Sequence, residues 1–271
     1  MQQTLLVNEI YLSLQGESTF AGLPCIFIRL TACNLRCSYC DTAYAFTQGT
    51  KQTLADIRTK VTELANRFPG ASRTRIGTSI PTFPHQVLPN SRLNEAPPET
   101  GGRLPLVELT GGEPLLQQNA IPLMKTLCDD GFTVLLETSG AHDIAQVDAR
   151  VRRIVDLKCP SSGESGRNRW ENLPHLKNSD EVKFVIGTQQ DYAWAKQTIV
   201  EHQLDTICPL LFSWVHPLAP EQQDKSLQRV PAGQTPISRQ ELAEKIIEDA
   251  LSVRFQVQLH KIIWAPEKRG V

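Results

Sequence analysis

Short apolar runs alternate along the chain with longer segments in which apolar residues recur every three or four positions. The short runs are rich in Val, Ile, Leu and Phe, as expected of parallel strands that are buried on both faces. They predict strands over residues 5–13, 25–31, 105–109, 132–137, 152–157, 182–186 and 207–213.

The longer segments predict helices over residues 53–67, 114–130, 192–202 and 238–253. The first and last begin with a capping pair, a Thr or Ser followed three residues later by an acidic residue, and the second has a proline in its first turn. Strands that alternate with helices predict an α/β fold with a parallel sheet or an open barrel.

Residues 69–103 interrupt this alternation. They hold six of the 18 prolines and no lysine, and they show no periodicity. We interpret them as a surface insertion, functional or disordered, within a single domain that spans residues 1–271. A second irregular stretch, rich in Gln and Pro, covers residues 219–236.

The composition excludes several functional classes. A net charge of −1 provides no bulk attraction to nucleic acid or to membranes, and we expect neither as a partner. No apolar run approaches the roughly 20 residues that span a bilayer. The first residues lack the basic and apolar regions of a secretory signal, so we expect a cytoplasmic protein in a reducing compartment.

Three closely spaced cysteines are the most informative feature. Cys33, Cys37 and Cys40 follow a predicted strand with C-x3-C-x2-C spacing. A loop of this length can place three sulfurs around one face of an iron–sulfur cube and leave the fourth iron open to a substrate or cofactor. Zinc is the less favoured alternative, because structural zinc takes four ligands and the next candidate is His85. The other four cysteines are interpreted as buried small hydrophobes.

A glycine-rich turn follows a later strand. Thr110-Gly111-Gly112-Glu113-Pro114 comes directly after the predicted strand over 105–109. Glycines at the carboxyl end of a strand allow the backbone to approach a ligand closely.

Polar residues near the first two strands suggest a binding site. Gln15 and Glu17 flank a glycine at a strand end, where they either contact a ligand or face water. Arg29 lies inside an apolar strand, so it needs an anionic partner, either an internal carboxylate or an anionic substrate. Asp41 and Thr42 follow the third cysteine and offer oxygen ligands for Mg²⁺, or merely turn the chain.

Together these motifs resemble the radical S-adenosylmethionine (SAM) enzymes, whose signature is C-x3-C-x2-C followed by a Gly-Gly-Glu segment. Within that superfamily the chain resembles the 7-carboxy-7-deazaguanine synthase family of queuosine biosynthesis. The matching stretches occur in the same order across nearly the whole chain, at residues 9–17, 29–42, 110–114, 136–140, 156–160 and 258–264. The resemblance implies a partial, open β/α barrel.

The resemblance also implies roles for individual residues. A [4Fe-4S] cluster is expected on Cys33, Cys37 and Cys40, and Mg²⁺ on Thr42. The pterin substrate is expected to contact Leu14, Gln15, Gly16, Arg29, Thr110, His260 and Pro266. The SAM pocket is expected to contain Gly112, Glu137, Asp156, Leu157, Lys158, Ser213 and His216.

The implied reaction converts 6-carboxy-5,6,7,8-tetrahydropterin into 7-carboxy-7-deazaguanine by a radical ring contraction with loss of ammonia. Flavodoxin or ferredoxin is expected to supply the electron, and a homodimer is expected. The chain continues past Pro266, where some relatives end, so a role for a terminal carboxylate is in doubt. The alternatives are an activase that makes a glycyl radical on a partner protein, and a non-catalytic iron–sulfur or zinc protein.

Overall fold

One sheet organises the described part of the protein. The computed structural model describes residues 2–68, 103–265 and 268–271. Within these ranges nine strands form an open sheet in the order β3-β1-β2-β4-β5-β6-β7-β8-β9. The strands are β1 (Thr4–Leu14), β2 (Pro24–Leu30), β3 (Thr50–Thr53), β4 (Arg103–Gly111), β5 (Phe132–Thr138), β6 (Arg152–Asp156), β7 (Glu181–Ile186), β8 (Leu210–Trp214) and β9 (Arg254–Gln256).

The strand directions place the chemistry at one edge. From β2 through β9 each neighbouring pair is parallel, whereas β1 runs antiparallel to both β2 and β3. The carboxyl ends of the parallel strands therefore meet at one edge of the sheet, which is where ligands bind in open α/β sheets. The loops that carry the cysteines and the Gly-Gly-Glu turn both leave from this edge.

Helices connect most of the parallel strands. They are α1 (Leu54–Ala65), α2 (Ala120–Asp129), α3 (Gln189–His202), α4 (Arg239–Glu248) and a single turn, α5 (His260–Ile263). Capping boxes begin α1, α3 and α4, because a Thr or Ser side chain accepts from the third backbone N–H and an acidic side chain accepts from the cap N–H.

The predicted helices are confirmed, with three changes. The helix predicted over 192–202 begins earlier, at Gln189, because Thr188 caps it. The segment predicted over 114–130 begins with a separate 3₁₀ turn at Pro114–Leu116, where the Glu113 carboxylate accepts from the Leu115 N–H. The helix predicted to reach residue 253 ends at Glu248, because Ala250 adopts a left-handed conformation with φ 48° that an α-helix cannot continue through. The short elements β3, β9 and α5 were not predicted.

The two faces of the sheet differ in what covers them. One face packs against the helices in a large apolar core that includes Ile57, Leu123 and Phe184. The other carries a smaller cluster without helical residues, built from Phe20, Cys25, Phe27, Leu106, Leu135, Ile154 and Leu211. Polar side chains of the strands lie on this second face beside the apolar cluster. This face can therefore form a binding site.

The insertion predicted at 69–103 lies outside the described residues, except for Arg103, where β4 begins. None of the helices in the described ranges is long and apolar enough to cross a bilayer.

Candidate functional site

A cavity of about 660 Å³ opens on the second face, at the carboxyl edge of the sheet. Nearly all residues singled out from the sequence line it: Leu14, Gln15, Gly16, Arg29, Cys33, Cys37, Cys40, Thr42, Thr110, Gly112, Glu137, Asp156, Lys158, Ser213, His216 and His260. Leu157 does not line it, since its side chain packs in the large apolar core. Pro266 lies outside the described residues.

The cysteine loop is anchored to residues 162–164. Ser38 donates from its backbone N–H to the Ser162 carbonyl at 3.0 Å, and the Arg36 N–H donates to Glu164 at 2.7 Å. Within the loop the Leu35 N–H donates to Cys33 Sγ at 3.4 Å. The contacts of Ser38 and Arg36 therefore hold the loop in place without using the thiols.

Burial dominates the chemistry of the three thiols. It raises the pKa of Cys37 to about 12 and also raises the pKa values of Cys33 and Cys40. The ammonium of Lys158 opposes this shift at Cys33 and Cys37. The thiols are consequently protonated at neutral pH, and binding of a metal centre has to release protons.

The arrangement fits an iron–sulfur cube. All three thiols are free and line the same cavity. In the described ranges no three His, Cys, Asp or Glu side chains converge on the position of a single metal ion. A cube does not require such convergence, because its three thiolates bind three different irons.

The Gly-Gly-Glu turn is held in place by its own carboxylate. Glu113 is fully buried and accepts from Thr138 Oγ1 at 2.9 Å and from the Ser139 N–H at 2.8 Å. This carboxylate therefore ties the end of β4 to the end of β5 and is not free for a ligand. What the turn presents to the cavity includes the backbone of Gly111 and Gly112.

Gly112 has no room for a side chain. A Cβ atom at this position would lie 2.0 Å from the Ala32 carbonyl oxygen and 2.8 Å from Cys33 Cβ. The glycine therefore allows the turn to pack directly against the beginning of the cysteine loop.

A buried charge cluster lies deeper in the cavity. Lys183 forms an ion pair with Glu137 and lies 3.6 Å from Glu17. Thr110 donates to Glu137 at 3.1 Å, and Ser213 donates to Glu17 at 2.6 Å. Burial lowers the pKa of Lys183, but the two carboxylates outweigh it and the net pKa is raised. The lysine is therefore a permanent cation that orients both acids.

Glu108 is a buried acid whose pKa is raised. Gln15 donates from Nε2 to Glu108 Oε2, and Gln15 Oε1 accepts from the Glu17 N–H at 3.0 Å. Burial, reinforced by Glu137, raises the pKa of Glu108 well above its usual value. This shift favours the protonated, neutral form of Glu108.

Arg29 has internal partners and also faces the cavity. Its Nε donates to Glu9 Oε1 at 2.8 Å, and Nη2 donates to the Tyr11 hydroxyl at 2.9 Å. Tyr44 donates to the same Glu9 oxygen at 3.1 Å. The internal ion pair foreseen as an alternative is thus present, and Arg29 still lines the cavity wall.

Two more ion pairs complete the wall. Lys158 donates to Asp156 Oδ2 at 2.6 Å beside the thiols, and Lys261 donates to Asp41 Oδ2 at 2.5 Å. Thr42 Oγ1 lies 3.7 Å from Cys40 Sγ. Burial lowers the pKa of His260, so this imidazole is neutral at pH 7.

Sequence reasoning missed Lys183 and Glu108. Each is a lone charged residue inside an apolar strand run, the same signal that drew attention to Arg29. It also missed Arg269, which lines the cavity from beyond the last matching stretch. No sequence signal marks Arg269, because only the path of the folded chain brings it there.

Comparisons with known proteins agree with the geometry. The chain is 40% identical over 267 residues to the 7-carboxy-7-deazaguanine synthase of Koribacter versatilis, covering 98% of this chain and 99% of that one. It is 37% identical over 270 residues to the protein of the same name from Chlorobaculum tepidum, covering 98% and 97%. No protein-family model matches the chain.

The crystal structure of QueE from Escherichia coli has the same fold. It superposes with a TM-score of 0.62 at 18% identity and covers 95% of each chain.

Proposed function

The chain belongs to the 7-carboxy-7-deazaguanine synthase family of radical SAM lyases, and we propose that the cavity on the uncovered face of its sheet is the active site. There 6-carboxy-5,6,7,8-tetrahydropterin is contracted to 7-carboxy-7-deazaguanine with release of ammonia, a step of queuosine precursor biosynthesis. The observation that carries the proposal is that three free thiols share one cavity with Gln15, Arg29 and the Gly-Gly-Glu turn. Family membership disfavours the activase and the non-catalytic alternatives.

Cys33, Cys37 and Cys40 hold the [4Fe-4S] cluster in this proposal. When bound, the cluster and SAM supply a 5′-deoxyadenosyl radical that removes a hydrogen atom from the substrate. Lys158 assists the thiolates by its positive charge, which lowers the pKa values of Cys33 and Cys37. Asp156 keeps the Lys158 ammonium at this position.

The SAM pocket is proposed to contain Gly112, Glu137, Asp156, Leu157, Lys158, Ser213 and His216. The charge cluster supports this, because Lys183 fixes the Glu137 carboxylate and leaves its second oxygen bonded to Thr110. Polar groups with fixed orientation select a polar ligand and keep it in one pose. Leu157 would contribute only through its backbone, since its side chain is in the core.

The pterin is proposed to contact Leu14, Gln15, Gly16, Arg29, Thr110, His260 and Pro266. Gln15 is fixed by Glu108 at one end and by the Glu17 N–H at the other. Neutral Glu108 and neutral His260 provide hydrogen-bonding groups without adding charge next to a carboxylate substrate. Arg29 supplies the guanidinium for that carboxylate.

Mg²⁺ is proposed to bind Thr42 through Oγ1, at the mouth of the same cavity. Asp41 is already paired with Lys261, so Thr42 is the freer oxygen ligand. Mg²⁺ usually keeps several waters and takes few protein ligands, which suits a site with one hydroxyl and a bound substrate. The metal would orient the substrate and balance its charge.

The proposal also covers the barrel architecture, the electron donor, and the assembly and location of the protein. The open sheet is a partial β/α barrel, supported by the fold match and by the small apolar cluster on its inner face. Flavodoxin or ferredoxin delivers the electron, and the protein works as a homodimer in the cytoplasm. Family membership supports these assignments.

The test is anaerobic reconstitution with iron and sulfide, followed by product analysis with the carboxytetrahydropterin, SAM, Mg²⁺ and a flavodoxin reductant. We expect 7-carboxy-7-deazaguanine and an equal amount of ammonia, with SAM regenerated. Cleavage of SAM with the pterin returned unchanged would contradict the proposal. Omitting the reductant is the control.

A further inference from the structure

We propose that Arg269 is a substrate-positioning residue that supplies the free positive charge for the carboxylate of the pterin at the cavity mouth. This inference rests on the proposed function. Residues 268–271 lie in the wall of the cavity. They follow residues 258–264, the last of the stretches on which the family resemblance rests.

Arg269 is held in a defined place although it is exposed. Its guanidinium carbon lies 3.7 Å from the centroid of the Tyr44 ring, which is a cation–π contact. Its Nη1 donates to Gln48 Oε1 at 3.3 Å. Of its N–H groups only one on Nη1 has a hydrogen-bond partner in the described ranges, and a guanidinium edge matches the two oxygens of a carboxylate.

The charges of the cavity wall explain why this arginine matters. Arg29 is paired with Glu9, Lys158 with Asp156, and Lys183 with Glu137. Each of these cations is therefore largely neutralised by the protein itself. Arg269, by contrast, forms no ion pair with any carboxylate in the described ranges.

Tyr44 lies next to both arginines. The Arg29 guanidinium carbon lies 6.0 Å from the centroid of the Tyr44 ring that Arg269 also contacts. Tyr44 is also bonded to Glu9, the partner of Arg29. Both arginines line the same cavity, so a carboxylate bound there meets at Arg269 a positive charge that pairs with no carboxylate in the described ranges.

The test compares two ligands on four proteins. The reconstituted enzyme with SAM and Mg²⁺ is titrated, without reductant and at low ionic strength, with the carboxytetrahydropterin and with tetrahydropterin that lacks the carboxylate. The proteins are the wild type, Arg269→Ala, Arg269→Lys and the control Arg58→Ala. Arg58 is an exposed arginine paired with Asp130 and is not part of the cavity wall.

We expect Arg269→Ala to weaken binding of the carboxylated pterin by about tenfold, the size of one charge-assisted contact. Binding of the pterin without carboxylate stays unchanged, and Arg269→Lys recovers part of the loss. In turnover KM rises in Arg269→Ala while kcat changes little. Iron content and the circular dichroism spectrum match the wild type, as they do in Arg58→Ala.

Two results overturn the inference. One is equal affinity of Arg269→Ala and the wild type for the carboxylated pterin. The other is equal loss for both pterins, which would mean that Arg269 only supports the wall through Tyr44. A failure of the proposed function is distinct, because the wild type itself would then form no deazaguanine product.

Discussion

Arg29 and Glu9 face each other across the antiparallel pair β1–β2, and Arg29 Nε donates to Glu9 Oε1 at 2.8 Å. This ion pair fixes the orientation of Arg29, because Glu9 occupies one edge of the guanidinium. The side chain then has few other orientations. The arginine is thus oriented before any substrate arrives, which reduces the entropy lost on binding.

Arg29→Ala is expected to weaken binding of the carboxytetrahydropterin by at least about tenfold while leaving the cluster intact. The reason is loss of the guanidinium that faces the substrate carboxylate. Pterin titration and iron analysis of the reconstituted enzyme measure the two effects. Glu9→Gln, which keeps Arg29, serves as the control with a smaller loss. Unchanged pterin affinity in Arg29→Ala would remove this arginine from the site.

Cys40→Ser is expected to lose most of its iron and all SAM cleavage, because a serine hydroxyl is a poor substitute for a thiolate toward an iron–sulfur cluster. Iron and sulfide analysis after anaerobic reconstitution measures the loss. Cys128→Ser is the matched control, since Cys128 lies in α2 within the apolar core, away from the cavity. Equal iron content in both variants would argue against a cluster on the loop.

Thr42→Val is expected to abolish stimulation of activity by Mg²⁺, because valine has the shape of threonine without the hydroxyl ligand. Thr42→Ser keeps the hydroxyl and is expected to retain the stimulation. Initial rates over a Mg²⁺ titration distinguish the two variants. If the valine variant responds to Mg²⁺ as the wild type does, the metal binds elsewhere.

Gly112→Ala is expected to destabilise the protein by about 1–3 kcal/mol and to lower its cluster occupancy. The added methyl would lie 2.0 Å from the Ala32 carbonyl, so the turn or the cysteine loop has to move. Urea unfolding and iron analysis are the measurements. Gly166→Ala is the control, because no atom lies within 4 Å of a Cβ there. Wild-type stability and iron content in Gly112→Ala would show that the cysteine loop can move at little cost in free energy.

Glu108→Gln is expected to stabilise the protein increasingly as pH rises. The folded-state pKa of Glu108 is raised well above its usual value by burial, so from about pH 4.3 upward the folded state binds more protons than the unfolded state. Stability contributed by this group is therefore full below the unfolded-state pKa and is lost as pH rises toward the folded-state value.

Glutamine removes this dependence and still accepts from Gln15. Thermal unfolding of both proteins between pH 5 and pH 8, the range that follows from the sign of the shift, checks the expectation. The wild type at pH 5 is the internal reference. A constant difference between the two proteins across this range would mean that Glu108 stays ionised in the folded state.

The sequence by itself determined the chemistry and most of the elements. The apolar runs identified seven of the strands, since burial on both faces requires continuous Val, Ile, Leu and Phe. The capping residues located the beginnings of α1 and α4. The spacing of Cys33, Cys37 and Cys40 indicated the cluster, because ligands within one short loop need no tertiary contact to be recognised.

Only the tertiary structure decided which charges meet. Glu137 lies in β5, Lys183 lies in β7 and Glu17 follows β1, so only the folded sheet brings them together. β3 and β9 are short, so their patterns carry too little periodicity to be seen before their partners are known. Arg269 reaches Tyr44 through the path of the folded chain, and a contact between residues so distant in sequence leaves no local pattern.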